Sequence, residues 1–110
     1  MAKATAKPGE ALEKWKRARD AEREAKVTAA GALAVAASAL TGRTWTAQTP
    51  DHGISCESGP CRLAWTELNQ TPRIHASYRE GMTYVAIMGP DVATAWDRLT
   101  GALRLMGVAL

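Results

Sequence analysis

Thirty-one consecutive residues, Glu10 to Leu40, contain no proline and a single glycine, Gly31. Nothing in the stretch opposes an α-helix except Gly31, which costs about 1 kcal/mol relative to alanine. The spacing therefore predicts one long helix, with Gly31 as the place for any kink. Pro8-Gly9 breaks the chain before it. Thr41-Gly42 ends it, since Gly42 is suited to a left-handed C-cap. The pairs Glu10/Lys14, Glu13/Arg17 and Glu22/Lys26 stand in the favourable acid-first i,i+4 order, so the first half can be helical without deep burial.

Period-two alternation predicts strands over the middle of the chain. Arg43 to Thr49 places Trp45 and Ala47 on one face, Arg62 to Leu68 places Leu63 and Trp65, and Ile74 to Tyr78 places Ile74, Ala76 and Tyr78. Met82 to Met88 is more continuously apolar, as a central strand would be. Glu80-Gly81 is read as the hairpin turn before it. After Gly89-Pro90, Asp91 is the expected N-cap of a second helix, whose apolar stripe is Val92, Ala95, Trp96, Leu99, Ala102, Leu103 and Met106. Asp97, Arg98 and Arg104 lie off that stripe. The expected fold is α+β in the order α-β-β-β-β-α, with a four-stranded antiparallel sheet covered on one face by helices.

The chain has 110 residues, enough for one domain and one core. It divides into a charged helical arm, residues 1–26, and a single α+β domain, residues 27–110. There is no Phe, and four Trp and two Tyr supply the large aromatic anchors. The net charge of +3 arises entirely in the arm, which has eight cations against five anions, whereas the rest has six of each. Lysine stops at Lys26 and alanine dominates the apolar set, a composition suited to a GC-rich genome or one of its phages. Val27 to Leu40 imitates a signal-peptide core, but the leader before it is overlong and rich in acids. It is also too short and alanine-rich to cross a membrane. The expected location is the cytoplasm, or the virion if a phage encodes the chain, with no membrane partner.

At 100° per residue the first helix sorts into three stripes. Ala11, Trp15, Ala18 and Ala25 form an apolar line, interrupted by Glu22 and continued by Ala29, Ala32, Ala36 and Ala39. Lys16, Arg19, Arg23 and Lys26 form a basic ridge about 15 Å long beside it. Glu13, Arg17, Asp20 and Glu24 form a mostly acidic line on the far side. The ridge has the residue types that track phosphates without regard to sequence, yet its excess of charge is small and most such faces are simply solvated. The apolar line has the 4,3 spacing of a helix-pairing seam. A parallel pair of identical helices would set Lys14 against Arg19, so charge does not favour that arrangement. Residues 29–39 of the line are expected to pack on the protein's own sheet or second helix. Strands of five to seven residues span only about 17–24 Å, so the first half should overhang the body.

Pro50 to Pro60 reads as a long loop carrying His52, Cys56 and Cys61. The His-x3-Cys-x4-Cys spacing, with His75 as the remaining candidate ligand, is not that of a zinc site, and no metal is expected. A Cys56–Cys61 disulfide is sterically reasonable, but free thiols on a turn are the default reading in a reducing cytosol. His75 is read as structural. Ser55, Ser58, Ser77, Asp51, Glu67 and Glu80 fall into no nucleophile–base pattern, and phosphate-binding glycine loops are missing. The chain is thus read as non-enzymatic and without a cofactor. It is expected to be an interaction or assembly module, engaging a protein partner or itself through Ala11, Trp15, Ala18 and Ala25. The alternative is a small nucleic-acid-binding regulator that uses Lys16, Arg19, Arg23 and Lys26.

Overall fold

A computed structural model describes residues 8–110; Lys3 and Lys7 of the predicted arm lie outside them. The architecture is α+β. Helix α1 (Pro8–Thr41) is followed by β1 (Thr46–Ala47), a 3-10 turn (Pro50–His52), β2 (Ile54–Ser58), β3 (Cys61–Leu68), β4 (Thr71–Glu80), β5 (Thr83–Gly89) and α2 (Val92–Leu105). The sheet is a fully antiparallel meander in the order β1-β2-β3-β4-β5. It has five strands where four were expected.

The additional strand is β2, inside the segment predicted as a loop. Ile54, Cys56 and Ser58 alternate with Ser55 and Glu57, and Ser58 pairs with Cys61 across a two-residue turn, Gly59-Pro60. Gly59 holds φ +58, the left-handed conformation that such a turn demands at its first position. Glycine and proline here mark a hairpin tip instead of a long connection. Conversely, the strand expected over Arg43 to Thr49 shrinks to two residues. Trp45 is buried just before it and Ala47 is exposed, so the two do not share a buried face.

α1 starts at Pro8, two residues before the expected start, because a proline at the first helical position gives up an N–H that has no helical partner anyway. The helix runs through Gly31 and stops where predicted. Gly42 takes φ +73, and its N–H donates to the Ser38 carbonyl at 3.0 Å. Thr41 then organises the exit: the Trp45 indole N–H donates to its hydroxyl at 2.8 Å, and the Arg43 N–H at 3.2 Å.

The core lies between one face of the sheet and the two helices. Leu33, Ala34 and Ala37 of α1 and Ala95, Leu99 and Leu103 of α2 pack with Trp45, Cys56, Cys61, Leu63, Ile74, Ala76 and Tyr78. Each large side chain sealed here contributes about 1.5–3 kcal/mol. Asp91 caps α2, its carboxylate accepting from the Thr94 N–H at 2.7 Å. That N–H, with Arg98 adding charge, holds the Asp91 carboxyl below its usual range. Met106, expected on the α2 stripe, is instead the C-cap and exposed. Gly89 allows β5 to touch α2: a Cβ there would stand 2.6 Å from the Ala95 nitrogen.

Candidate functional site

α1 has 34 residues and is therefore about 51 Å long, while the molecule measures 72 × 28 × 27 Å. Its C-terminal part lies on β1 and β2. Every residue from Gly9 to Ala25 is exposed, so some 17 residues project beyond the body as a bare helix, as the strand lengths implied. Burial begins at Lys26, which is half-covered, and becomes full at Ala30.

The side of α1 that meets the sheet is one step round from the predicted apolar line. The buried stripe is Ala30, Leu33, Ala34 and Ala37, whereas Ala32, Ala36 and Ala39 are exposed and Ala29 is half-buried. The expectation that residues 29–39 of the line pack inward is thus overturned. The bulk of Leu33, combined with the need to bring alanines close to β1 and β2, sets the rotation. In consequence the line Ala11, Trp15, Ala18, Ala25, Ala29, Ala32, Ala36, Ala39 faces outward along nearly the whole helix. Trp15 is 58% and Leu12 63% exposed, and Val35 and Leu40 are exposed toward its C-terminal end.

The four cations of the ridge share the side of α1 that, further along, packs on the sheet. Arg19, Arg23 and Lys26 therefore look into the notch where the helix leaves the body, and Lys16 lies on the same side further out along the arm. Arg23 donates to the Asp51 carboxylate at 3.1 Å. Lys26 stands 3.9 Å from Glu22. Arg19 places its guanidinium 5.3 Å from the Trp15 ring centroid. A cavity of about 230 Å³ lined by Arg19, Glu22, Arg23, Lys26, Pro50 and Asp51 occupies the notch. Two of the four cations thus already have carboxylate neighbours, although exposed pairs of this kind contribute little to stability.

The structure does not bring the remaining sequence candidates together. Cys56 and Cys61 are free thiols buried in the core, and not on a turn. Burial, reinforced by the charge of Glu57, pushes the Cys56 thiol up to about 11. Burial also raises that of Cys61, with Arg43 pulling the other way. Such thiols are poor nucleophiles at neutral pH. His52 is exposed on the 3-10 turn, and His75 lies half-buried on the sheet face opposite the core. Among the described residues no three His, Cys, Asp or Glu side chains cluster as metal ligands, and no helix is long and apolar enough to cross a membrane.

The chain matches no family model, no curated protein and no solved structure.

Proposed function

We propose that this chain is a non-enzymatic assembly module whose α1 pairs antiparallel with α1 of a second copy. The observation that supports the reading is the outward-facing line of alanines with Trp15 at one end, on a helix that overhangs its own body. Small side chains along a seam let two helix axes approach to about 8 Å. An exposed Trp on such a helix is the residue type most often found at the energetic centre of an interface.

Charge selects the direction. Parallel pairing opposes Lys14 and Arg19. Antiparallel pairing, in the register that sets Ala18 against Ala36 and Ala25 against Ala29 of the second copy, places Trp15 against Ala39. Lys14 then meets Val35, and Arg19 meets Leu40, both exposed. The one like-charged contact is Lys26 with its counterpart, and each Lys26 has its own Glu22 at 3.9 Å. The projecting arm of each copy is thereby covered by the body-borne half of the other's helix.

The nucleic-acid reading of the ridge is the weaker of the two, because Arg23 and Lys26 are partly neutralised and Arg19 rests on Trp15. Light scattering over a concentration series separates the two. The full chain is expected to be a dimer, and both Trp15→Ala and Ala25→Glu are expected to be monomers. A full chain that stays monomeric at about 100 μM, or an Ala25→Glu variant that still dimerises, contradicts the proposal.

A further inference from the structure

Both helices cover the same face of the sheet, so the other face is open. The ladder registers place its residues in rows: Ser55, Ala64, His75 and Met88; Glu57, Arg62, Ser77 and Ala86; Thr66 and Arg73; Leu68 and Thr71; Arg79 and Tyr84. Three arginines and a histidine thus share this face with one carboxylate, Glu57. The arginines are held in place, but not by acids. Arg62 donates to the His52 carbonyl at 3.0 Å and to the Ser55 hydroxyl at 3.3 Å. Arg73 donates to the Pro72 carbonyl at 2.9 Å. Arg79 lies 4.7 Å over the Tyr84 ring. Among the described residues the close ion pairs are those of Arg23 and Lys26 on α1; on the sheet face Glu57 stands across from Arg62, and three arginines against one carboxylate leave a net positive charge.

We propose that this open sheet face binds single-stranded nucleic acid, a site separate from the α1 seam and from its basic ridge. Four properties favour that occupant. The fixed guanidinium groups complement a phosphate backbone. Tyr84, with Arg79 stacked on it and 53% exposed, offers a flat platform on which a base can stack. The middle of the face is floored by Ala64 and Ala86 beside the buried Ser77, small residues that leave room for flat rings to lie against the strands. Finally, its large apolar groups, Leu68, Met88 and Tyr84, stand in separate rows of the ladder, too scattered for the desolvated centre of a protein interface. A flat sheet cannot enter the grooves of a duplex as a helix or ribbon does, whereas the splayed bases of a single strand can lie on it.

The test is fluorescence anisotropy of labelled oligo(dT) and oligo(U) 12-mers with the full chain between 50 and 200 mM salt. A 12-bp duplex and a deca-glutamate peptide serve as competitors. Single strands are expected to bind and to weaken with salt at a log–log slope of about −2, from three arginines at ~0.7 each. The double variant Arg62→Glu/Arg79→Glu should lose binding. Tyr84→Leu should weaken it at least about fivefold with little change in slope, while Tyr84→Phe retains it. Lys16→Glu/Arg19→Glu on the arm should leave it unchanged, and so should the monomeric Ala25→Glu variant.

Three results overturn the proposal. One is absence of salt-sensitive binding at 50 mM. A second is loss of binding in the arm variant with retention in the sheet variant. The third is competition by deca-glutamate as strong as by unlabelled oligonucleotide, which would assign the face to an acidic protein. Far-UV circular dichroism of each variant establishes that a loss of binding is not a loss of fold, and both tyrosine variants are at an exposed position.

Discussion

Trp45 and Trp96 meet edge to face, with ring centroids 5.4 Å apart and planes at 82°. One belongs to the segment leaving α1 and the other to α2, so the two helices are joined through the residues after Thr41 and hardly touch each other directly. Trp45 is held from the other side by its indole N–H on the Thr41 hydroxyl and by its backbone N–H on the Ser38 hydroxyl at 3.3 Å. These contacts join the two helices within the body, away from the projecting arm. A chain beginning at Val27 is expected to fold, with a denaturation free energy within about 1 kcal/mol of the full chain's intrinsic value, and to be monomeric. Urea unfolding followed by Trp fluorescence checks the first expectation and light scattering the second. Insoluble truncated material would mean that the arm belongs to the core.

An isolated helix of about 17 residues is marginal in water, so the arm needs a partner to be fully protected. Hydrogen exchange should show slow amides from Gly9 to Ala25 in the dimer. The same amides should exchange orders of magnitude faster in Ala25→Glu, while the exchange of Ala30 to Ala37 is unchanged.

The buried thiols make the protein sensitive to alkali. The Cys56 thiol ionises near 9.0 when unfolded and near 11 when folded, so between those values the native state holds more protons than the unfolded state. Stability from this group is complete below pH 9 and declines toward pH 11, by up to about 1.4 kcal/mol per pH unit. Cys61 shifts in the same direction through burial. So does Tyr78, whose hydroxyl donates to Glu80 at 2.7 Å. Urea midpoints measured from pH 8 to 11 should fall, and they should fall less steeply in Cys56→Ala.

Two backbone positions carry opposite expectations. Asn69 and Gln70 form the tip between β3 and β4 with φ +52 and +64, a turn that favours Asn-Gly. Gln70→Gly should stabilise the protein by roughly 0.5–1 kcal/mol by removing left-handed strain from a residue with a side chain. Gly89→Ala should destabilise it by about 1–3 kcal/mol, since the added methyl meets the Ala95 nitrogen, a backbone atom that cannot swing aside. Thermal and urea denaturation of both variants measure the two effects.

The elements with a strong period were legible in the sequence. α1 and its overhang, the Gly42 stop, the Asp91 cap and the α2 stripe as far as Leu103 all follow from spacing and local chemistry. What was not legible depends on tertiary pairing. β2 is five residues long and mixes Ile54 and Cys56 with three polar residues, so its strand character emerges only against β3. The rotation of α1 is a choice among several alanine-lined sides, which are nearly equivalent until Leu33 finds the sheet. The open cationic face is distributed over β3, β4 and β5, and no single stretch of chain displays it. The alternation of Arg62 with Leu63, and of Arg73 and Arg79 with Ile74 and Tyr78, was the available signal.

Disulfide cross-linking between single-cysteine additions reads out the antiparallel pairing of two α1 helices, because the native thiols are buried. Ala18→Cys and Ala36→Cys proteins are mixed, oxidised and run under non-reducing conditions. Antiparallel pairing requires a cross-linked heterodimer of Ala18→Cys with Ala36→Cys and little cross-linking of either variant alone. Efficient cross-linking of Ala18→Cys to itself would show parallel helices, and no cross-link in any combination would show that α1 does not pair with its own kind.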